Sequence, residues 1–214
     1  MIVQVAQRRG TRLTAALAGA LCALAFAAQP SHAGVLVASA PSCADSPAAR
    51  PFLPWLDLAS YTPAPDRGFE GGAAGWGLDG GAAPVAANEP YRVGGKSDDT
   101  ALRLPAGGAA TSPAFCVGLE HPTVRLFAKR VGGSLLSTLR VDVEFEDALG
   151  GTHALPIGVV ASAGTWAPTL PMPVLANLLP LLPGGYTPVA LRFVPQGAAS
   201  WLVDDVYVDP FKRV

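Results

Sequence analysis

Charged residues, cysteines and long apolar runs are all scarce in this sequence. Only 14% of its 214 residues are charged, it has three cysteines, and its one long apolar run lies near the amino terminus. The small number of basic residues excludes the cationic surface that nucleic acid requires. Because no later run is long enough to cross a bilayer, we expect no transmembrane segment in the mature chain.

The short patterns that mark common catalytic and zinc sites are also missing. The histidines lack zinc-ligand spacing, there is no Gly-x-Ser-x-Gly elbow, and the glycine-rich stretches lack the lysine of a phosphate loop. Asp142, Glu144 and Glu146 share one strand face, as a glycosidase pair can, but adjacent outward acids are usually only solvated. The sequence therefore predicts a protein that is not an enzyme.

The first residues form a targeting segment. Three arginines within residues 8–12 precede an apolar stretch at 13–28, and Ser31-His32-Ala33 has the small residues of a cleavage site. We expect cleavage after Ala33, so that residues 1–33 are a signal peptide and the mature chain is secreted or extracytoplasmic. The remaining 181 residues carry 12 basic and 16 acidic side chains, and are enough for one monomeric domain.

Two cysteines remain after the signal peptide, and they predict a disulfide. Cys22 leaves with the signal, while Cys43 and Cys116 stay. In an exported chain two cysteines favour pairing, which would contribute roughly 4 kcal/mol by closing so long a loop. The alternative is two unpaired or metal-binding thiols, although no cluster of His or Cys lies near them in the sequence.

Short apolar runs separated by Gly and Pro favour a β sandwich or barrel. The clearest strand is 139–146, where Leu139, Val141 and Val143 alternate with charged residues, as in a half-buried antiparallel strand. Residues 147–151 read as a hairpin turn. The other predicted strands are 76–78, 84–87, 101–104, 110–116, 124–131, 152–160, 166–170, 189–193 and 201–208.

Two segments do not fit the strand pattern. Prolines throughout residues 34–66 forbid a long helix or a central strand, so this segment is predicted to be an irregular arm that packs on a sandwich domain at 67–214. The leucine-rich residues 172–183 are also broken by prolines. They form either a short helical turn on the sandwich or an exposed loop that touches a partner.

Asp204 and Asp205 interrupt the apolar pattern of the last strand. Trp201 and Val203 share one face by parity, but Val206 and Val208 share the other, which predicts a β-bulge between them. Adjacent buried carboxylates are costly unless they are paired, hydrogen-bonded or bound to metal.

Several short stretches resemble one family. Gly68-Phe69-Glu70-Gly71 followed by Trp76 resembles the first strand of secreted galactose-binding-like jelly rolls, many of which are carbohydrate-binding modules. Residues 101–104 resemble the next strand of that family, and residues 191–193 and 201–206 resemble its closing pair. The chain also resembles secreted bacterial proteins that end in the same Asp-Asp-Val-Tyr-Val-Asp-Pro run. The resemblance covers residues 66–210 and implies an all-β antiparallel jelly roll.

The resemblance further implies a structural calcium ion, because Glu70 and Asp204 occupy positions that often hold one in the carbohydrate-binding families. Asp66 and turn carbonyls near residues 94–96 could supply further oxygen ligands. The alternative is that Asp204 is a buried acid paired with Arg67 or Arg192, with Asp205 solvated.

The expected function is a secreted, non-catalytic binding module for carbohydrate or a cell-envelope glycan. Tyr91 and Tyr186 are the aromatic residues expected to be exposed for stacking on a sugar, and Asn88, Glu89 and Arg92 flank Tyr91 as polar groups. One alternative is a structural or protein-interaction domain at the cell surface, with residues 172–183 as the contact. The third possibility is a small secreted hydrolase.

Overall fold

Alternating apolar side chains build a core between two sheets. In the computed structural model, which describes residues 36–37, 48–119, 123–161, 164–176, 179 and 186–209, the predicted strand at 139–146 is present as Thr138–Glu146. Its Leu139, Val141 and Val143 are fully buried. They meet Leu102, Trp201 and other inward residues of the opposite sheet in one hydrophobic cluster.

The described residues form thirteen strands and one short 3-10 helix, Leu53–Trp55. In chain order the strands are β1 (Thr62–Pro63), β2 (Gly77–Asp79), β3 (Ala83–Ala86), β4 (Thr100–Leu104), β5 (Ala109–Thr111), β6 (Phe115–Val117), β7 (Thr123–Val131), β8 (Thr138–Glu146), β9 (Thr152–Val160), β10 (Ala167–Pro168), β11 (Met172–Pro173), β12 (Thr187–Gln196) and β13 (Ser200–Val208).

The strand order is that of a jelly roll. The first sheet runs β10-β7-β13-β4-β3, with β1 paired to β13 and β11 to β7; the second runs β2-β5-β12-β8-β9, with β6 paired to β12. All these pairs are antiparallel. From β4 onward the chain passes repeatedly from one sheet to the other, as two Greek keys require. The predicted all-β antiparallel jelly-roll sandwich is therefore confirmed.

Most predicted strands lie within one residue of their observed bounds, but β12 begins two residues earlier and ends three residues later than predicted, and two shorter predictions differ more. The strand predicted at 110–116 is two strands, β5 and β6, because the pairing with β12 is interrupted after Thr111 and resumes at Phe115, and Pro113 between them has no amide to donate. Only Ala167–Pro168 of the segment 166–170 is a strand. β1 and β11, each two residues long and containing proline, give no alternating signal in the sequence.

The predicted arm packs on the outer face of the first sheet. Phe52 and Tyr61 are buried against Phe127 of β7 and Tyr207 of β13. Ring centroids lie 5.5 Å apart for Phe52 and Phe127, and 5.7 Å apart for Phe52 and Tyr207. Arg125 lies over the Phe52 ring, 4.3 Å from its centroid. The arm is thus anchored by aromatic contacts and a cation–π contact.

Two acids of β8 expected to be solvated are instead buried. Asp142 is 2% exposed and is held bidentately by Arg140, while Glu146 is 1% exposed. The carboxylate of Glu146 accepts hydrogen bonds from the amides of Leu36 (2.6 Å) and Val37 (3.0 Å). The prediction of solvated acids is wrong for these two residues, because strand parity cannot reveal contacts from distant segments.

The leucine-rich segment divides between burial and exposure. Met172 joins β11, and Val174 and Ala176 are buried against the core. Leu175 and Leu179 are 45% and 53% exposed. The described residues of this segment are therefore partly buried and partly exposed, and contact with a partner stays a prediction. Residues 177, 178 and 180–183 lie outside the described residues.

Two further predictions fall wholly or partly outside the described residues. The signal peptide and Cys43 lie there, whereas Cys116 is half-buried on β6, so the disulfide stays a prediction.

Within the part of the chain that the structure describes, no helix has the length and apolar character needed to cross a membrane.

Candidate functional site

A bulge in β13 places two carboxylates side by side inside the protein. The pairing of β13 with β7 shifts register between Asp204 and Tyr207, and Asp205 has a left-handed backbone with φ 48°. Because of the bulge, Trp201, Val203, Val206 and Val208 all reach the same core. The predicted bulge is confirmed.

Both aspartates are fully buried, with different partners. Asp204 accepts hydrogen bonds from the amides of Glu89 (3.2 Å) and Asp205 (2.8 Å). Asp205 is paired with Arg67, whose Nε lies 3.1 Å from its Oδ1. Asp204 is therefore held by backbone amides, and the expectation that Asp205 is solvated is wrong.

Arg192, the other cation considered for Asp204, lies on β12 of the opposite sheet. It pairs with Glu144 of β8, with 3.6 Å between Nη1 and Oε1. Strand parity could not choose between the two arginines, because the choice depends on which sheet each one occupies.

The loop between β3 and β4 adds two more buried acids. Glu89 accepts hydrogen bonds from the amides of Tyr91 and Val93, and its side chain is buried together with that of Asp98. One carboxylate oxygen from each of Glu89, Asp98 and Asp205 lies within 4.8 Å of the other two. We call these three residues, together with Asp204, the acidic cluster.

The positive and hydrogen-bonding groups around the acidic cluster do not offset all of its negative charge. Burial raises the pKa of Asp204, and the charge of Asp205 raises it further. Burial and the charge of Asp98 raise the pKa of Asp205, against the lowering effect of Arg67. Burial also raises the pKa of Asp98. Each shift shows that the ionised form is poorly compensated by protein groups alone.

Two buried oxygens of the cluster, Asp98 Oδ2 and Asp205 Oδ2, receive no hydrogen bond from an N–H or hydroxyl donor. The Asp98 carboxyl group instead interacts with the carboxyl groups of Asp205 and Glu70. Oxygens that share a Ca²⁺ ion lie about 2.3–2.6 Å from it, so two on opposite sides are about 5 Å apart. The spacing and chemistry of Glu89, Asp98 and Asp205 therefore fit one such cation.

Asp66 and Glu70, the other predicted metal ligands, bind backbone amides. Asp66 accepts from Gly71 (2.9 Å) and Ala74 (3.0 Å), and Glu70 accepts from Asp99 (2.9 Å) and Thr100 (2.7 Å). The structure thus brings Asp204 into the cluster and places Asp66 and Glu70 beside it. Sequence reasoning located the turn near residues 94–96 but did not recognise Glu89 and Asp98 as possible ligands.

A polar cavity of about 290 Å³ lies next to the cluster. It reaches the cluster at Asp98, and it is also lined by Arg67, the partner of Asp205. Its other lining residues are Pro63, Ala64, Asp66, Gly68, Glu70, Gly94 and Ser97.

A second feature is a partly exposed aromatic patch, formed by Trp55, Tyr91 and Trp166 around the buried ring of Phe127. Tyr91 is 49% exposed, and its ring lies 4.6 Å from Trp55 and 5.8 Å from Phe127, centroid to centroid. The Trp55 and Tyr91 planes are almost perpendicular, at 89°. The patch is thus a corner that presents Tyr91, instead of a flat platform.

The other predicted ligand-binding residues do not join the aromatic patch. They either lie away from the exposed ring of Tyr91 or stabilise the β3–β4 loop. Arg92 Nη1 donates to the carbonyls of Lys96 (2.8 Å) and Asp98 (3.1 Å). Both amide atoms of Asn88 are buried. Tyr186 is half-buried and immediately precedes β12 of the second sheet, whereas Tyr91 packs on the first sheet.

The chain is similar to carbohydrate-binding modules. The family 22 xylan-binding domain of Paenibacillus barcinonensis xylanase 10C matches with a TM-score of 0.46 and 18% identity, covering 69% of this chain and 93% of that one. The family 11 module of the Clostridium thermocellum cellulase Lic26A-Cel5E gives 0.39 and 10%, covering 72% and 96%.

A longer structure matches through one part only. The family 22 and family 10 modules of Clostridium thermocellum xylanase 10B, complexed with xylohexaose, give a TM-score of 0.45 and 16% identity over 64% of this chain. This chain spans 26% of that structure. No protein-family model matches the sequence, and no curated protein matches it. Similarities with TM-scores below 0.5 do not identify a function for this chain.

Proposed function

We propose that the protein is a secreted, non-catalytic carbohydrate-binding module that takes its sugar on the aromatic patch. The observation that carries this proposal is the half-exposed ring of Tyr91, held against Trp55 and Phe127. Sugar rings present C–H groups that pack on an aromatic face, and a ring fixed in advance loses little conformational freedom on binding.

The surroundings of the patch are held by packing and by buried polar contacts. Phe127 belongs to the long strand β7, and Phe52 stacks on it from the arm. Beside Phe52, Asp57 pairs with Arg125 and accepts from the Tyr61 hydroxyl, with 2.7 Å between the oxygens. Arg125 is buried and also donates to the Thr169 carbonyl, so these groups hold the ring cluster beneath the patch in a fixed arrangement.

No catalytic role is assigned to the acids that line the polar cavity. Each carboxylate of Asp66 and Glu70 accepts two backbone amide hydrogen bonds, which fits a structural acceptor better than a general acid.

The test is a glycan array followed by titration with the best oligosaccharide. Tyr91→Ala should weaken binding about tenfold, the effect of losing about 1.4 kcal/mol of stacking. Tyr91→Phe keeps the ring and should bind within about twofold of the unmodified protein. Leu136→Ala, an exposed site on the β7–β8 loop, is the matched control and should have no effect. Binding to no glycan, or unchanged binding by Tyr91→Ala, would contradict the proposal.

The second candidate is a protein-interaction domain, favoured by the exposed Leu175 and Leu179 next to the buried Val174. Glycan binding that is unchanged by Leu175→Ser and weakened about tenfold by Tyr91→Ala would rule against this alternative as the main function.

A further inference from the structure

We propose that the loop between β7 and β8 binds the surface of an anionic lipid membrane. Leu135 and Leu136, adjacent residues of this loop, are 81% and 90% exposed. Val131, the last residue of β7, is 41% exposed. We call these three residues the apolar tip. The proposal is independent of sugar binding, because Tyr91 lies on the β3–β4 loop, at the opposite end of the strands.

Buried polar contacts fix the backbone beneath the apolar tip. The guanidinium of Arg130, a buried side chain, donates through Nη1 to the carbonyls of Gly132 and Ser134, both at 3.1 Å. The Leu136 amide donates to Ser134 Oγ at 3.1 Å. The two leucines are therefore exposed by a loop whose conformation is held by hydrogen bonds.

The loop is also attached to the neighbouring turn between β12 and β13. Gly133 packs on that turn so closely that a Cβ would lie 2.5 Å from Ala199 Cα. Ser137 is buried, and its Oγ accepts a hydrogen bond from the Ala199 amide at 3.2 Å. Because a loop fixed in advance loses little conformational freedom on binding, the apolar tip is well suited to enter a lipid interface.

Basic side chains lie close to the apolar tip. Arg103 of β4 and Lys129 of β7 are the two partners of Leu202 on β13. Since Trp201 and Val203 face the core, this row of three residues lies on the outer face of the first sheet. Neither Arg103 nor Lys129 forms an ion pair with a residue that the structure describes. Each can therefore approach a lipid phosphate.

The distribution of charge along the strands gives the membrane contact its orientation. Most of the described acids lie toward the other end of the sandwich, including the acidic cluster and Glu146 and Asp147 at the β8–β9 turn. Near the apolar tip the described acids are Asp79 of β2 and Asp142, and Arg140 pairs with Asp142. An anionic surface therefore attracts the end that carries the apolar tip and repels the opposite end.

The chemistry of the apolar tip suits lipid better than sugar. Leucine offers neither an aromatic face for a sugar ring nor a hydrogen-bonding group for its hydroxyls. Apolar side chains that enter the headgroup region next to basic residues bind anionic membranes, with a strength that grows with buried apolar area and with charge. Two leucines and two basic residues predict weak and reversible binding.

The test is sedimentation of the exported protein with phosphatidylcholine vesicles, prepared with and without phosphatidylglycerol. We expect binding to the anionic vesicles that weakens as salt is added. Leu135→Ser and Leu136→Ser should each weaken binding about tenfold, and Arg103→Gln and Lys129→Gln about fivefold. The apolar run near the amino terminus is the same in every variant, so it does not cause these differences.

Leu149 provides the matched control. It is 93% exposed but lies at the β8–β9 turn, at the acidic end of the sandwich. Leu149→Ser should bind within about twofold of the unmodified protein. Leu136→Trp adds a direct readout, because its fluorescence should shift to shorter wavelengths with anionic vesicles, whereas that of Leu149→Trp should not. Since both leucines are exposed, the melting temperature should stay unchanged in all four of these variants and in Leu136→Ser.

Three outcomes would overturn the proposal. One is no binding of the unmodified protein to anionic vesicles. Another is equal weakening by Leu136→Ser and Leu149→Ser, because the position of the leucine would then be irrelevant. The third is equal binding to vesicles with and without phosphatidylglycerol, because the basic side chains would then contribute nothing.

Discussion

At the scale of single residues, Asp204 and Asp205 show how one irregularity arranges a site. Because of the bulge, four apolar side chains of β13 point into the same core, and the two acids lie between them in the chain. The strained φ of 48° at Asp205 is held by the Arg67 pair and by the surrounding loop. The residues that face these acids come from segments more than a hundred positions away in the chain.

Gly94 offers a test of this packing at the same scale. A Cβ at Gly94 would overlap Asp98 Oδ2 and lie 3.2 Å from Asp205 Oδ1. Gly94→Ala should therefore destabilise the protein by about 1–3 kcal/mol, the usual cost of overpacking. Chemical denaturation measures this effect.

Gly77 is the matched control for that substitution. A Cβ there would meet Thr111 at an ordinary 3.9 Å. Gly77→Ala should leave the unfolding free energy almost unchanged. Equal destabilisation by the two substitutions would show that the close approach at Gly94 is unimportant.

At the scale of elements, the arm depends on one ion pair as well as on aromatic packing. Burial raises the pKa of Asp57, but hydrogen bonds from Tyr61, the Ala59 amide and Arg125, together with the charge of Arg125, outweigh burial and lower it. An acid whose pKa is lower in the folded state stabilises that state above its unfolded pKa. That stabilisation is lost as the pH falls through the folded pKa.

Acid should therefore loosen the arm before the sandwich unfolds. Below about pH 4, Trp55 fluorescence should change as Asp57 is protonated and its contacts to Arg125 and Tyr61 weaken. Asp57→Asn should show the loosened signal already at neutral pH. An acid transition in that variant identical to that of the unmodified protein would contradict this role of Asp57.

At the scale of the whole molecule, the predicted Cys43–Cys116 disulfide would join the arm to β6 of the second sheet. Removing it by Cys116→Ser should lower the unfolding free energy by roughly 4 kcal/mol, mainly by relaxing the unfolded chain. Thermal melting with and without reductant measures this. Two thiols that react with an alkylating agent in the native protein would show that the bridge is absent.

Much of the fold could be predicted from local pattern. Val141 and Val143 on β8, and Leu191 and Phe193 on β12, alternate with polar or small residues, and alternation alone predicts which face is buried. The parity change around Asp204 likewise predicted the bulge. The short strands β1 and β11 could not be predicted, because two residues carry no period and their pairing depends on β13 and β7.

The sequence by itself determined an all-β sandwich or barrel, the irregular arm and the position of an acidic site on the last strand, because each follows from neighbouring residues. The jelly-roll topology was implied only by the family resemblance. Only the tertiary structure decided that Glu89 and Asp98 join Asp205, that Asp204 is held by amides, and that Tyr91 lies beside Trp55. Those choices depend on distances between segments far apart in the chain. The periodicity of a strand carries no information about such distances.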